Sequence, residues 1–540
     1  MATPTTSSNY AVIPVTRVRT IDALLEGVKW RSSDITYSFP TTGSYWSTSS
    51  SAGYGNSTGL REPWSEQYTP LTLAQQLQFK AALQKWANVA AVRFTETADN
   101  ASTVGDIRIA TTWMASTDDS EAWAYPPDGD PTGGDIWINA DANSATSELK
   151  AGSYGFLTLL HELGHTLGLK HPHETSILNN ATLHSIEDVL YHTVMSYYSS
   201  PGENNTHLSH YPTTPMLFDI QAIQRVYGKN TGFNASDNIY RFDDSTTYIE
   251  TIWDAGGTNS IVYAGVQDVL IDLREGSGSR IGNDVSVMNE FSTAIDTIPN
   301  VWIAYGTTIH NATGGAGRNT IFGNALNNTL TGGPNDNVIF ADKGNDTIVL
   351  GDTGINVVSG DEGSDTVVFS GSRSMYTITA TDAIFNIETG NPEQATSVSE
   401  VERIKFADSM IALDIDGNAG AAYRLYRAAF DREPDKPGLG FWIDKLDKGA
   451  SLTEVAAGFF DSPEFKTLYG SNPSTADYLI RFYQNVLHRA PDEGGFKAWM
   501  NELTNGHRSP VIALAQFSES PENQAQVIGV IQNGIEFIPV

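Results

Sequence analysis

The chain has 540 residues, a formal net charge of −31, 40% hydrophobic residues, 11 Trp, 22 Tyr, 22 Phe and no Cys. That length and aromatic content exclude a disordered chain and leave room for three or more domains. So large an acidic excess excludes nucleic acid and anionic membranes as partners and suits calcium.

No apolar run reaches about 18 residues, so no transmembrane span is expected. Met1–Tyr10 has neither the basic start nor the apolar core of a secretory signal peptide. A chain without cysteine fits the cytosol, or an extracellular protein stabilised by metals instead of disulfides.

Residues 1–20 are polar and read as a flexible N-terminus or short propeptide. Thr20 to Trp30 reads as a short helix, Ile35 to Phe39 as a strand, and 41–59 as a Ser/Gly/Thr-rich loop. Leu73 to Val89 has helical periodicity through Leu77, Leu83, Trp86 and Val89, with Thr72 as N-cap. Strands are predicted at Val92–Thr97, Asp106–Ala110 and Asp135–Asn139, with a short extended stretch at Ala122–Tyr125. A helix from about Ser153 to Leu167 follows, then a His-, Asn- and Ser-rich loop to Val194–Tyr198, then a helix from Pro215 to Tyr227.

The helix from about Ser153 to Leu167 carries His161-Glu162-Leu163-Gly164-His165, continued as Thr166-Leu167-Gly168-Leu169-Lys170-His171. Four residues apart, His161 and His165 leave one helix face and can reach one metal ion. At about 100° per residue, Phe156, Leu159, Leu160, Leu163 and Leu167 gather on the opposite, core-facing side. Gly168 lets the helix stop and return His171 as a third nitrogen. Glu162 lies too far round to be a ligand and is placed to act on a water as general base. Three protein ligands leave an open position, the mark of a catalytic zinc site. A bare H-E-x-x-H arises by chance, but the extended form fixes five positions in a chain with only 11 His.

This motif, followed by Met195-Ser196-Tyr197, resembles the metzincin metallopeptidases, and among them the serralysin family. Ile21–Trp30, Pro215–Gly228, Trp253–Gly257 and Ile303–Ile309 are similar to that family in the same order, over about residues 15–415. The resemblance implies that His161, His165 and His171 bind one zinc and that Glu162 is the general base. It implies that Met195 forms the floor beneath the metal. Tyr197 would ligate zinc at rest and swing away to stabilise the transition state. Ala122, Trp123, Ala124 and Tyr125 fall at the edge strand that pairs with substrate backbone. His173, His184, His192, His207 and His210 are read as loop residues.

From Gly314 a nine-residue Gly-Gly-x-Gly-x-Asp-x-apolar-x repeat runs through 314–322, 323–331, 332–340, 341–349, 351–359 and 360–368. Its eighth position is apolar every time: Ile321, Leu330, Ile339, Ile348, Val358 and Val367. An unbroken apolar ladder with glycine turns predicts a parallel β-roll binding several calcium ions between coils. The sixth position is Asn at 319, 328, 337 and 356 and Asp only at 346 and 365. Amides hold hard cations more weakly than carboxylates, so the last three coils are expected to bind calcium better than the first three. The calcium residues expected are Gly344, Asp346, Asp352, Gly354, Asp361, Gly363 and Asp365, together with Asp254. Strands over 375–415 are expected to cap the roll.

From about Gly420 the chain turns helical and duplicates at an offset of 57, Tyr426–Asp435 matching Tyr483–Asp492. This resembles a helical module of bacterial extracellular proteins without an assigned function, and its aromatic residues are read as core. The terminal Glu536-Phe-Ile-Pro-Val540 resembles the acidic-then-apolar end of the serralysins.

The sequence therefore predicts a multidomain protein: an α/β metzincin catalytic domain at 21–235, a calcium-binding parallel β-roll with β cap at 236–418, and an all-α module of two 57-residue repeats at 419–540. The expected function is a zinc endopeptidase acting on extracellular proteins as a monomer. The resemblance implies secretion from a Gram-negative bacterium by type I machinery without a leader. A surface-layer or adhesion protein using the peptidase fold as scaffold, with a cell-surface partner for the helical module, is the alternative.

Overall fold

The computed structural model describes residues 2–55, 68–112, 121–140, 149–351, 353–391, 393–470 and 472–540. It divides into two compact units, residues 1–310 and 311–540.

The first unit is built on a twisted sheet ordered 93–96, 34–38, 107–112, 135–139, 122–124. The first four strands run parallel and Ala122–Ala124 closes the edge antiparallel, with Trp123 opposite Trp137. The helix Leu73–Val89 starts where predicted, in a reciprocal cap between Thr72 and Gln75. It buries Phe79, Ala82, Leu83, Trp86 and Val89, and the Trp86 indole donates to Leu160 O at 3.2 Å in the motif helix Tyr154–Thr166. Leu77, expected on that face, is 65% exposed. It lies two residues before Phe79, about 200° round the helix.

The predicted helix over Thr20–Trp30 is largely replaced. Only Arg19–Asp22 is helical, and Val28–Trp30 is a strand paired antiparallel with Tyr10–Val12. The buried Asp22 carboxylate accepts from the Thr16 and Arg17 amides and folds the chain back there, and Gly27 (φ 100°) turns it into the strand. The N-terminal 20 residues, read as flexible, thus contribute a strand to the unit.

In the second unit the repeats coil as a parallel β-roll. Alternate repeats stack, so two ladders form: 311–313, 329–331, 347–349 and 366–368 in one, 319–322, 337–340 and 354–359 in the other. Ile321, Leu330, Ile339, Ile348, Val358 and Val367 all point inward and are almost wholly buried. Strands 394–399, 384–388 and 377–381 extend one ladder, and 403–405 and 410–412 the other.

The helices after Asn418 repeat their internal devices. Asp431 and His488 end equivalent helices in the left-handed conformation. Arg432 pairs with Glu464 at 2.7 Å as Arg489 pairs with Glu522 at 2.8 Å. Asp435 and Asp492 cap the next helix by accepting from Gly438 and Gly495. The duplicated Tyr-Arg-Pro-Asp pattern is therefore a folding device. The last strand, Ile535–Phe537, pairs with 410–412.

Truncation inside the roll should show how far the apolar ladder carries its stability. Ile339→Ala, at a fully buried rung, is expected to cost about 2–5 kcal/mol in denaturant unfolding. Ile355→Ala, at a side chain 53% exposed, should leave the midpoint within error.

Candidate functional site

The motif helix is capped by Ser153, whose hydroxyl accepts from the Phe156 amide, and it buries nearly every side chain. Gly164 is required by packing, because a Cβ there would lie 2.4 Å from Met195 Sδ. Met195 is fully buried directly against the histidine-bearing turn. At the helix end, the Trp30 indole donates to Thr166 O at 2.8 Å and the Tyr227 hydroxyl to Leu167 O at 3.1 Å. Those two side chains satisfy carbonyls that a helix terminus leaves open. Gly168 has φ 97°, and a Cβ would meet Val28 O at 2.1 Å, so only glycine lets the chain turn so close.

The turn returns His171 to the helix face. The three Nε2 atoms of His161, His165 and His171 stand 3.0–3.2 Å apart. Each Nδ1 is taken elsewhere: His161 donates to Val194 O at 2.7 Å, His165 to Leu169 O at 2.9 Å and His171 to Glu174 Oε2 at 2.9 Å. A neutral imidazole with its proton on Nδ1 presents a lone pair at Nε2. Three lone pairs therefore face one point. Burial first, then the neighbouring rings, hold His161 well below the usual histidine range and push His171 down to about 2, which keeps the rings neutral. Nitrogens about 2.0–2.1 Å from a tetrahedral zinc lie about 3.3 Å from one another, so the donor set and its spacing fit zinc.

Glu162 is buried, its Oε2 has no hydrogen-bond partner, and burial pushes its carboxyl up to about 8. The Tyr197 hydroxyl lies 2.7 Å from His171 Nε2, on a side chain that remains exposed. Two recesses meet over these groups. One, about 430 Å³, is bordered by Tyr154, Leu157, Thr158 and Leu190. The other, about 270 Å³, is bordered by Trp123, Pro126, Leu169 and Lys170. Ala122, His161, Glu162 and Tyr197 line both, so the cleft passes across the histidines beside the edge strand. Ala122, Trp123 and Ala124 form that strand, while Tyr125 follows it and its amide donates to Asp135 O.

Three residues that sequence reading passed over support this arrangement. Asp219, wholly buried, accepts from the Thr193 hydroxyl and the Val194 and Met216 amides at 2.6–2.8 Å, and so clamps the segment whose Val194 O orients His161. Lys170 places its ammonium among the carbonyls of Ala23, Glu174 and Ala181 at 2.6–2.9 Å, fixing the loop that carries His171. Glu174 orients His171 itself. Asp219 and Lys170 carry no marking spacing, since their partners are largely backbone or distant in sequence, whereas Glu174 stands three residues from His171. His173 stacks on His171, with ring centroids 5.6 Å apart, and its Nδ1 lies 3.2 Å from Asp188.

Of the expected calcium residues, Gly344, Asp346, Asp361, Gly363 and Asp365 lie in turns that join the ladder of 337–340 to that of 347–349. Asp346 and Asp365 are buried, each with one oxygen lacking a hydrogen-bond partner, and burial pushes them up to about 6 and about 7. Gly354 begins the strand 354–359 of the other ladder, and Asp352 lies outside the described residues. Asp254 is buried, and its carboxylate accepts from Tyr240, Asn238 and the Gly256 amide.

A parallel sheet with an antiparallel edge strand, a helix bearing H-E-x-x-H and a third histidine brought back over a packed methionine define a metzincin-type metallopeptidase domain. Comparison with known proteins agrees. Residues 65–190 match the matrixin family, 313–348 and 349–371 the RTX calcium-binding nonapeptide repeat, and 422–469 and 456–527 a domain of unknown function, DUF4214. A serralysin of Photorhabdus laumondii is 33% identical over 294 residues, 50% of this chain and 57% of the relative. A serralysin of Proteus mirabilis is 31% identical over 324 residues, 55% and 60% of the two chains. The metalloprotease AprA of Pseudomonas entomophila is 34% identical over 281 residues, 47% and 54%. The chain thus carries a matrixin-type domain, RTX repeats and a C-terminal helical module of unassigned role, and is similar to serralysins, of whose length it spans a little over half.

The Asp219 clamp predicts a coupling between core and site. Asp219→Ala orphans three buried donors at about 1–3 kcal/mol each. It should lower the thermal midpoint and speed zinc loss to a chelator, read by a colorimetric zinc indicator.

Proposed function

We propose that the chain is a secreted zinc endopeptidase that hydrolyses peptide bonds of extracellular proteins. The observation that carries this reading is the convergence of three imidazole lone pairs beside a buried, unpartnered Glu162 in an open cleft. In this reading His161, His165 and His171 hold one zinc. When bound, zinc supplies Lewis acidity towards a carbonyl and an acidified water near neutral pH.

The chain's own residues do the rest. An extended substrate lies along Ala122–Ala124 and pairs with that strand by backbone hydrogen bonds, as β-augmentation requires. Its scissile carbonyl then lies over Glu162. Leu157 and Leu190 favour an apolar side chain in the larger recess. Glu162 takes a proton from the attacking water and passes it to the leaving nitrogen. The Tyr197 hydroxyl donates to the developing oxyanion. Met195 and Asp219 hold the histidine-bearing turn rigid while this happens.

We assign catalysis to 21–235 and calcium binding to the domain at 236–418. The repeats and the charge of −31 support export through type I machinery, with the acidic chain less stably folded where calcium is scarce and gaining stability where it is abundant. The intact Glu162 beside three ligands speaks against a retired enzyme serving as an adhesion scaffold.

The test is cleavage of an unfolded protein by the full chain beside its Glu162→Ala variant, with zinc content measured in both. Loss of at least about 10²-fold in rate at unchanged zinc content is expected. Equal rates in the two proteins would remove Glu162 from the chemistry. Zinc removal by a chelator should silence the parent, and His171→Ala should lower bound zinc.

A further inference from the structure

The roll has two files of turns. Those at 314–318 and 332–336 lead into the strands 319–322 and 337–340, and Gly351 and Thr353 precede the strand 354–359 of the same ladder. Those at 323–328, 341–346 and 360–365 lead into the ladder of 329–331, 347–349 and 366–368. Because alternate repeats stack, a residue's neighbour in space is the equivalent residue two repeats on. The sixth-position residues therefore sort by file and not by distance along the chain.

The first file is Asn319, Asn337 and Asn356, all buried. Asn319 Nδ2 donates to Asn337 Oδ1 at 2.9 Å, Asn337 Nδ2 to Asn356 Oδ1 at 2.7 Å, and Asn356 Nδ2 to Thr396 Oγ1 at 3.3 Å. Each of the first two amides also closes its own turn. Asn319 accepts from the Gly315 amide, and its Nδ2 lies 3.1 Å from Gly315 O and 3.0 Å from Gly317 O, so its two hydrogens are shared among three oxygens, as are those of Asn337. Asn337 accepts from Gly333 and donates to Gly333 O and Asn335 O. Reversing either amide would set its oxygen against those carbonyls, so the orientation is fixed by its partners. The turn carbonyls that a calcium ion would need already hold N–H groups. Calcium takes 6–8 oxygen ligands, and here it would meet amide hydrogens.

The second file is Asn328, Asp346 and Asp365; Asn328 accepts from the Asn324 amide and donates to Asn324 Oδ1, and the two aspartates are built the other way. Asp346 Oδ1 accepts from the Asn328 amide at 2.6 Å and Asp365 Oδ1 from the Asp346 amide at 2.8 Å. The remaining oxygen of each, Oδ2, is buried and has no partner. The Asp365 amide in turn donates to Glu402 Oε2 at 2.7 Å. The coils approach closely here, since a Cβ on Gly363 would lie 1.6 Å from Gly344 O. Two buried carboxylates with an open lone pair each, stacked on neighbouring coils, need a cation.

We propose that calcium binds this roll along one file of turns only, between the turns of Asp346 and Asp365, and that the opposite file is a hydrogen-bonded asparagine ladder that holds without calcium. The division is first between sides of the roll, and only on the aspartate-bearing side, where Asn328 precedes Asp346 and Asp365, between early and late coils. It rests on the RTX reading and is independent of the peptidase reading.

The test uses the full chain. Calcium bound at saturation is counted by equilibrium dialysis with atomic spectroscopy, and the thermal midpoint is taken with calcium and with chelator. Asp365→Asn should lower the calcium count and shrink the calcium-induced rise in midpoint. Asn337→Ser should lower the midpoint equally in both conditions and leave the calcium count unchanged. Should Asn337→Ser fail to fold, Asn356→Ser tests the next rung. A fall in calcium count in either asparagine variant, or an unchanged count in Asp365→Asn, would overturn the assignment.

Discussion

Three imidazole nitrogens with lone pairs turned on one another, held about 3 Å apart, are tolerable only around a cation. The constraint that makes them so is the fixing of each Nδ1 proton. Val194 O, Leu169 O and Glu174 each accept one, and each acceptor belongs to a different segment. Much of the first unit can be read as support for those three acceptors. Asp219 clamps 193–194, the 24–28 segment braces the turn at Gly168–Lys170, and Lys170 ties down the loop that ends in Glu174. Such outer partners set tautomer and ring orientation, and so tune a metal site as much as the ligands do.

The same logic, polar groups oriented by what their other atoms bind, separates the two sides of the roll. Asn and Asp have one shape. The amide carries two donors where the carboxylate carries lone pairs, so an Asn file closes on itself while an Asp file remains open. A roll with one closed side keeps part of its hydrogen bonding whatever the calcium level. The helical module follows the same economy of means: its repeated arginines, aspartates and tyrosines pair, cap and stack on one another.

Much of this was legible in the chain. The spacing of His161, His165 and His171 fixes a common face plus a return, because helix geometry is local. The capped helix Leu73–Val89 and the inward ladder of the repeats follow from short-range periodicity, while the edge position of Ala122–Ala124 comes from the family resemblance. Thr20–Trp30 did not follow, because Gly27 and the Asp22 carboxylate act through turns that a helical apolar pattern conceals.

What the sequence by itself determined is which imidazoles can converge on one point and the period of the repeats, since both are written in spacings of a few residues. What only the tertiary structure decided is which distant groups orient them. Val194 lies 33 residues from His161, Ala23 lies 147 from Lys170, and Asn337 touches Asn319 and Asn356 instead of its neighbour in the repeat order. Hydrogen bonds to backbone carbonyls carry no residue signature, and coil stacking pairs every second repeat. Direction of a lone pair is settled by three-dimensional neighbours, and those exist only once the chain has folded.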